Sequence, residues 1–179
     1  LSSFYPKDSV ITKVIESENQ IDVYLKSKTH EQDCPACGQN SSKFHSTYKR
    51  KLQDLPILGK ATYVYLTAYQ YECENQNCSQ HIFCEELNDF TGYYKRMTRR
   101  LEDFLVTLAL NTSCEGAARI CKLIGIKTSG DTIIRILIER ASHFKTEQTD
   151  FIGVDDWSYK KGQTYGTIIV DGKTHKPID

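Results

Sequence analysis

Cys34-Pro35-Ala36-Cys37-Gly38 and, after a gap of 35 residues from Cys37, Cys73-Glu74-Asn75-Gln76-Asn77-Cys78 decide how this chain reads. Two pairs make four thiolates, the number that a tetrahedral structural Zn²⁺ requires. Tight turns bring paired sulfurs together on one ion, with Gly38 relieving backbone crowding beside the first knuckle. Thiol–disulfide exchange would favour one CxxC beside a βαβ unit, and no such unit is visible. The expected zinc ligands are therefore Cys34, Cys37, Cys73 and Cys78. Cys84, His45 and His81 are alternatives for one position, ranked second because each lacks a knuckle partner. Cys114 and Cys121 fall in helical pattern and read as small core residues.

The seven cysteines are an odd number. The N-terminus, Leu1-Ser2-Ser3-Phe4-Tyr5-Pro6, has neither the basic start nor the apolar run of an export signal, and no apolar stretch is long enough to span a membrane. A cytoplasmic location with reduced thiols is expected rather than a disulfide framework. Leu1 is not an initiator Met and the last residues open what reads as a new strand, so both ends are expected to be cut.

Working outward, 23 basic and 23 acidic residues cancel over the 179 positions, but the balance is local. Ile21, Val23 and Leu25 alternate with Asp22, Tyr24 and Lys26 as in a half-buried strand. Residues 61–71 alternate again, with Tyr63, Tyr65, Tyr69 and Tyr71 on one face and Val64, Leu66 and Ala68 on the other, running into Cys73. The gap between the cysteine pairs is filled by strand-forming sequence, yet residues 30–85 as a whole read as strand-poor and dependent on metal. Residues 72–89 hold five acids and no Lys or Arg, whereas residues 95–145 carry a local balance of +5. A boundary near residues 88–95 follows.

The basic region reads as helical. Thr98 caps a helix with Leu101, Phe104, Leu105 and Leu108 on one stripe; Ser113 caps a second, through Ala117, Ile120, Cys121 and Ile124, ended by Gly125. A third starts near Ser129 and carries Ile133, Ile136 and Leu137. The second and third have the lengths and glycine-containing turn of a helix-turn-helix, and equally those of an ordinary helical hairpin with a solvated basic face. In the first reading Arg135 meets guanine, Lys122, Lys127 and Arg140 meet phosphate, Ser129 and Thr132 stand at the entering end, and Lys95, Arg96, Arg99 and Arg100 add phosphate contacts from the preceding segment.

After Thr149 the period becomes two. Phe151-Ile152-Gly153-Val154 reads as a buried strand followed by Asp155 and Asp156, and Tyr165–Val170 as a second ending in Asp171. Carboxylates gathered at a sheet edge suit Mg²⁺, whereas Asp156 and Asp171 equally open turns.

These residues carry a resemblance. The two cysteine pairs, with His45-Ser46-Thr47-Tyr48-Lys49-Arg50 and Leu52-Gln53-Asp54-Leu55-Pro56 between them, resemble the zinc-binding N-terminus of bacterial insertion-sequence transposases of the L-three type. Phe151-Ile152-Gly153-Val154-Asp155-Asp156-Trp157, then Lys161-Gly162-Gln163-Thr164-Tyr165-Gly166-Thr167-Ile168-Ile169-Val170-Asp171, is similar to the opening of that family's DDE catalytic domain. The resemblance implies an α+β chain in three parts. These are a zinc-ribbon-like β module over 1–90, a helix-turn-helix over 91–147, and the first hairpin of an RNase H-like domain over 148–179. It implies Asp155 as the first catalytic carboxylate, with Asp156 the alternative and Asp171 in a supporting role at most. The complete catalytic domain would use Mg²⁺ or Mn²⁺, and the partner would be double-stranded DNA at transposon terminal repeats, with a homodimer on paired ends in the bacterial nucleoid. The strands bearing the second Asp and the Glu are not in the sequence, so catalysis is not expected of this chain alone. The competing expectation is a stand-alone zinc and helix-turn-helix regulator or transposition inhibitor; a zinc-ribbon module for protein partners leaves the basic helices without a use.

Overall fold

The computed structural model describes residues 2–142, 149–160, 162 and 164–178; Lys145, Lys161 and Gln163 of the stretches read above lie outside the described residues. The architecture is mixed α+β, divided into two compact units, residues 1–137 and 138–179.

In the first unit β1 (Ser9–Glu16) and β2 (Gln20–Ser27) form an antiparallel hairpin, followed by the short strands β3 (Gln32–Asp33) and β4 (Asn40–Ser41), which pair with each other. The long strands β5 (Phe44–Ile57) and β6 (Lys60–Glu72) then form a second hairpin, and β7 (Ile82–Cys84) completes the sheet. The sheet order is β1-β2-β6-β5, with β7 paired to β6 at Gln70–Glu72, beyond the stretch that pairs with β2. Its least local feature is the parallel pairing of β2 with β6, which sets Val23 beside Val64 and Leu25 beside Leu66. That register builds the core: Val23, Leu25, Leu52, Val64, Leu66 and Ala68 are buried on one face, with Tyr5 and Phe90 packed against them. Leu58 and Gly59 join β5 to β6 with φ of 51° and 78°. Two positive φ values give a hairpin turn that matches strand twist, and only the glycine adopts its value without steric cost.

Residues 30–85 are thus rich in strand, not poor in it. The expectation failed because β5 exposes polar and basic residues at alternate positions, leaving a short apolar signal for a long strand.

The helices stand where their caps place them. In α1 (Arg99–Asn111) the Thr98 side chain accepts from the Leu101 N–H, and in α2 (Cys114–Leu123) the Ser113 hydroxyl accepts from the Gly116 N–H at 3.0 Å. Gly125, with φ of 81°, takes the chain out of α2. In α3 (Gly130–Ala141) the Ser129 hydroxyl accepts from the Thr132 N–H at 3.3 Å, satisfying one of the helix's first amides. Leu101, Leu105, Ala117, Cys121, Ile126 and Ile133 form a second core, with Cys114 at its margin.

This helical core shares the first unit with the sheet, and the division expected at 90/91 falls inside that unit. Its principal polar tie is Asp54, 1% exposed, whose carboxylate accepts from the Thr98 hydroxyl at 2.7 Å, the Arg100 Nε at 2.7 Å and the Leu55 N–H at 2.9 Å.

The second unit contains the antiparallel hairpin β8 (Ile152–Lys160) and β9 (Thr164–Asp171). Asp155 and Asp156 lie within β8 rather than after it, opposite Ile168 and Thr167. Phe151, Ile152 and Val154 are exposed among the described residues, where the strand was expected to be buried.

Candidate metal centre and nucleic-acid face

The first cysteine pair is set by the β3–β4 hairpin. The Cys34 N–H donates to the Gln39 carbonyl at 2.9 Å and the Gly38 N–H to the Cys34 carbonyl at 2.8 Å, a tight turn that needs the positive φ of Gly38, 72°. The second pair begins where β6 ends. The Cys73 N–H donates to the His81 carbonyl at 2.8 Å, and the Cys78 N–H to the Asn75 carbonyl at 3.0 Å. β6 thereby carries the sequence from the sheet core directly into the metal site.

The Sγ atoms of Cys34 and Cys78 are 3.8 Å apart, those of Cys37 and Cys73 are 3.6 Å apart, and all four lie within 4.8 Å of one another. Zn–S bonds of ~2.3 Å at tetrahedral angles require S···S separations of about 3.8 Å, so this donor set fits zinc. The Gln39 backbone amide, with smaller help from neighbouring sulfurs and Asn75, lowers the Cys37 thiol to about 7. At Cys73 the Asn75 amide pulls down, but desolvation and the adjoining sulfurs outweigh it and push the thiol up to about 12. Four thiols this close resist shedding all their protons without a cation among them, and Zn²⁺ supplies the opposing charge.

The second-ranked alternatives lie outside this cluster. Cys84 accepts from the Gln70 amide at 3.2 Å, His45 pairs with Glu72 at 3.2 Å, and His81 is exposed. Among the described residues, the converging metal-capable side chains are the four knuckle cysteines. Around them Tyr71 and Phe83 form a small core apart from that of the sheet.

On the helical side, α2 and α3 enclose an open groove of about 650 Å³ lined by Arg119, Lys122, Lys127 and Ser129 among others. Ser129, Thr132 and Arg135 share one face of the first half of α3. The two hydroxyls are 3.0 Å apart, and Arg135 donates to Thr132 at 3.3 Å. Ile133 and Ile136 are buried, whereas Lys122, Lys127 and Arg135 are exposed. Arg140 is half-buried at the far end of α3. Arg99 is exposed and donates to the Asn88 carbonyl at 2.8 Å.

Arg100 departs from the phosphate contact expected of it. Its guanidinium grips both oxygens of Asp54 and donates to the Phe4 carbonyl at 2.7 Å, which makes it a structural tie. Asp54 is not legible as its partner in the sequence because the pairing spans 46 positions; the only sequence signal is its place between Leu52 and Leu55.

The carboxylates of the hairpin do not gather. Asp155 and Asp156 are neighbours on one strand and so point to opposite faces. Asp155 accepts from the Asp156 N–H at 2.9 Å, and Asp156 from the Thr167 hydroxyl at 2.7 Å. Asp171 is cross-strand from Ile152, three positions from Asp155, a rise of roughly 10 Å. The Thr149 hydroxyl and the Thr174 and Lys173 amides lower its carboxyl to about 2, and those amides make it the opening residue of a turn.

Residues 30–78 match the family described as the zinc-finger of transposase IS204/IS1001/IS1096/IS1165. The chain is also 26% identical over 160 residues to the transposase for insertion sequence element IS1001 of Bordetella parapertussis. That alignment covers 84% of this chain and 36% of the relative, so the chain spans about a third of the length of the protein it resembles. No solved structure matches it. By its zinc-ribbon match and by the similarity that runs along most of its length, the chain is similar to the insertion-sequence transposases of the L-three type.

Proposed function

We propose that this chain is the DNA-recognising part of a transposase, binding the terminal repeats of an insertion sequence through α2 and α3 acting as a helix-turn-helix. The observation that carries this reading is the two-sided character of α3. Ile133 and Ile136 are buried in the helical core, while Ser129, Thr132 and Arg135 present a polar face beside the exposed Lys122 and Lys127. An entering helix needs donors at its N-terminal half and bases at the flanks for phosphate. The fork of Arg135 suits the O6 and N7 of guanine; Lys122, Lys127 and Arg99 suit phosphate. The zinc ribbon then acts as a rigid support, and the functional parts are residues 1–90, 91–147 and 148–179. The protein works in the bacterial cytoplasm on DNA, as a homodimer where two ends are paired.

In this reading β8 and β9 open an RNase H-like domain in which Asp155 is the first catalytic carboxylate. Such a domain uses Mg²⁺ or Mn²⁺ to activate the attacking oxygen and stabilise the leaving one, and it needs carboxylates from several strands. Residues 1–179 alone are therefore expected to give no strand cleavage of a labelled terminal duplex with either metal. In a chain that carries a complete catalytic domain, Asp155→Asn is expected to abolish cleavage while binding persists; cleavage surviving that change would remove Asp155 from the mechanism.

The reading as a regulator without catalysis shares the DNA contacts and differs in needing no hairpin at 152–171. Binding is tested by titrating the chain with terminal and unrelated duplexes at several salt concentrations. Arg135→Ala is expected to lower the preference for the terminal sequence by about 1–3 kcal/mol, and Lys122→Ala to weaken all duplexes alike and reduce the salt slope by about 1. Absence of binding at low salt would reduce the helix pair to a structural hairpin.

A further inference from the structure

A second basic surface lies on the β side of the first unit, outside the helix pair. A groove of about 540 Å³ runs between β5 and residues 94–96, and five of its nine lining residues, Lys49, Arg50, Lys51, Lys95 and Arg96, are basic, with no acid among the nine. We infer that this groove is a second binding surface for the phosphate backbone of duplex DNA, distinct from the helix pair and contacting the same molecule.

The five bases have different roles. The Arg50 guanidinium donates to the Gly92 carbonyl at 2.9 Å, to the Lys95 carbonyl and to the Thr91 hydroxyl at 3.4 Å. It clamps residues 91–95 against β5 and so forms the groove wall, a positioning role. Lys95 is paired with Glu102 at 3.4 Å. The contacting cations are Lys49, Lys51 and Arg96, all exposed.

Lys51 is held in place. Its Nζ stands 4.2 Å from the Tyr63 ring centroid and 5.2 Å from that of Tyr65, so ring quadrupoles fix the ammonium at the surface before any ligand arrives. Asp22, at a neighbouring register, is the carboxylate within electrostatic reach of it. Gln53, two positions along β5 and also lining the groove, reaches the turn between α2 and α3. With its amide oriented to satisfy both atoms, it accepts from the Lys127 N–H at 2.9 Å and donates to the Lys127 carbonyl at 3.3 Å. The groove is thereby continuous with the base of the helix pair, and one duplex can lie along both.

The chemistry favours phosphate over unstacked bases. Single-strand binding needs open aromatic faces. Of the tyrosines lining the groove, Tyr63 is covered by the Lys51 ammonium and Tyr48 is half-buried; Tyr94 is exposed but packs edge-to-face with Tyr93 at 4.4 Å, so the five bases outnumber the one open ring.

The inference rests on the reading that the chain binds DNA, but not on α3 being the element that reads sequence. The test uses the zinc-loaded 179-residue chain, a short duplex and a single strand of equal length, titrated over a range of salt. Lys49→Gln with Lys51→Gln removes two phosphate contacts and is expected to flatten the salt slope by about two units and to weaken every duplex roughly tenfold at low salt. Lys49→Gln with Arg96→Gln leaves the ring contacts of Lys51 untouched and is expected to do the same, so a folding defect in the first variant does not decide the matter. Lys51→Arg is expected to retain binding. An unchanged slope in both double variants, with wild type binding duplex, would overturn the groove alone. So would a loss confined to the single strand. Wild type that binds no duplex at low salt would overturn the DNA-binding reading and this surface together.

Discussion

Replacing Asp54 with Ala is expected to cost about 3 kcal/mol or more of stability, the lower end of the range for breaking a buried charge pair because Arg100 keeps a third of its side chain in solvent. At this chain length that corresponds to a fall in Tm of roughly 6–12 °C. The side chain of Asp54 is fully buried, and it joins β5 to the start of α1 through the Thr98 hydroxyl and the Arg100 guanidinium. Removing it leaves a half-buried cation without its partner and takes an acceptor from the capping threonine. Asp54→Asn keeps a hydrogen-bond acceptor but not the charge, and falls between. Thermal or urea melting of the three proteins is the check; a loss below about 1 kcal/mol for the alanine variant would mean the tie is dispensable.

Removing the metal is the second large perturbation. Structural Zn²⁺ contributes apparent binding energies of ~10–16 kcal/mol in isolated zinc-finger peptides, where nothing else holds the fold. Here the sheet has its own core, from Val23 to Ala68, separate from the cluster of Tyr71 and Phe83 around the cysteines. Chelation, or Cys34→Ser, is therefore expected to open residues 32–41 and 73–84, to lower Tm, and to leave the β2–β6 pairing protected. Hydrogen exchange distinguishes these regions. About one zinc per chain should be lost with that protection, whereas Cys84→Ser, outside the cluster, should retain it. A chain that binds no zinc and keeps full protection would contradict the metal assignment.

What was legible in the sequence was local. Thr98, Ser113 and Gly125 announce helix ends because a cap is a contact between residues three or four apart, and the cysteine knuckles announce a metal because each is a single turn. The β2 and β6 patterns were equally clear, since each buries one face. Three features were hidden by distance or exposure. The parallel register of β2 with β6 joins residues some forty positions apart, and no alternation specifies its partner. Most of β5 is hidden because Lys49 and Lys51 occupy alternate positions on its solvent side, and with it the β5 side of the groove that the basic residues Lys95 and Arg96 also line. Arg100 looked like one of a run of surface bases because its carboxylate partner is 46 positions away. The hairpin was read correctly as strand, but its apolar residues suggested a burial that Phe151, Ile152 and Val154 do not have.

In the proposed function Arg135 and its neighbours on α3 read the ends of an insertion sequence, with the zinc ribbon as support. Hydroxyl-radical footprinting of the zinc-loaded chain on a fragment that carries the element's terminal repeat within unrelated sequence tests it most directly. The predicted result is a discrete protected segment inside the repeat, spreading into uniform weak protection with Arg135→Ala. Protection distributed evenly over the whole fragment by the wild-type chain, or a discrete footprint that Arg135→Ala leaves unchanged, would contradict it.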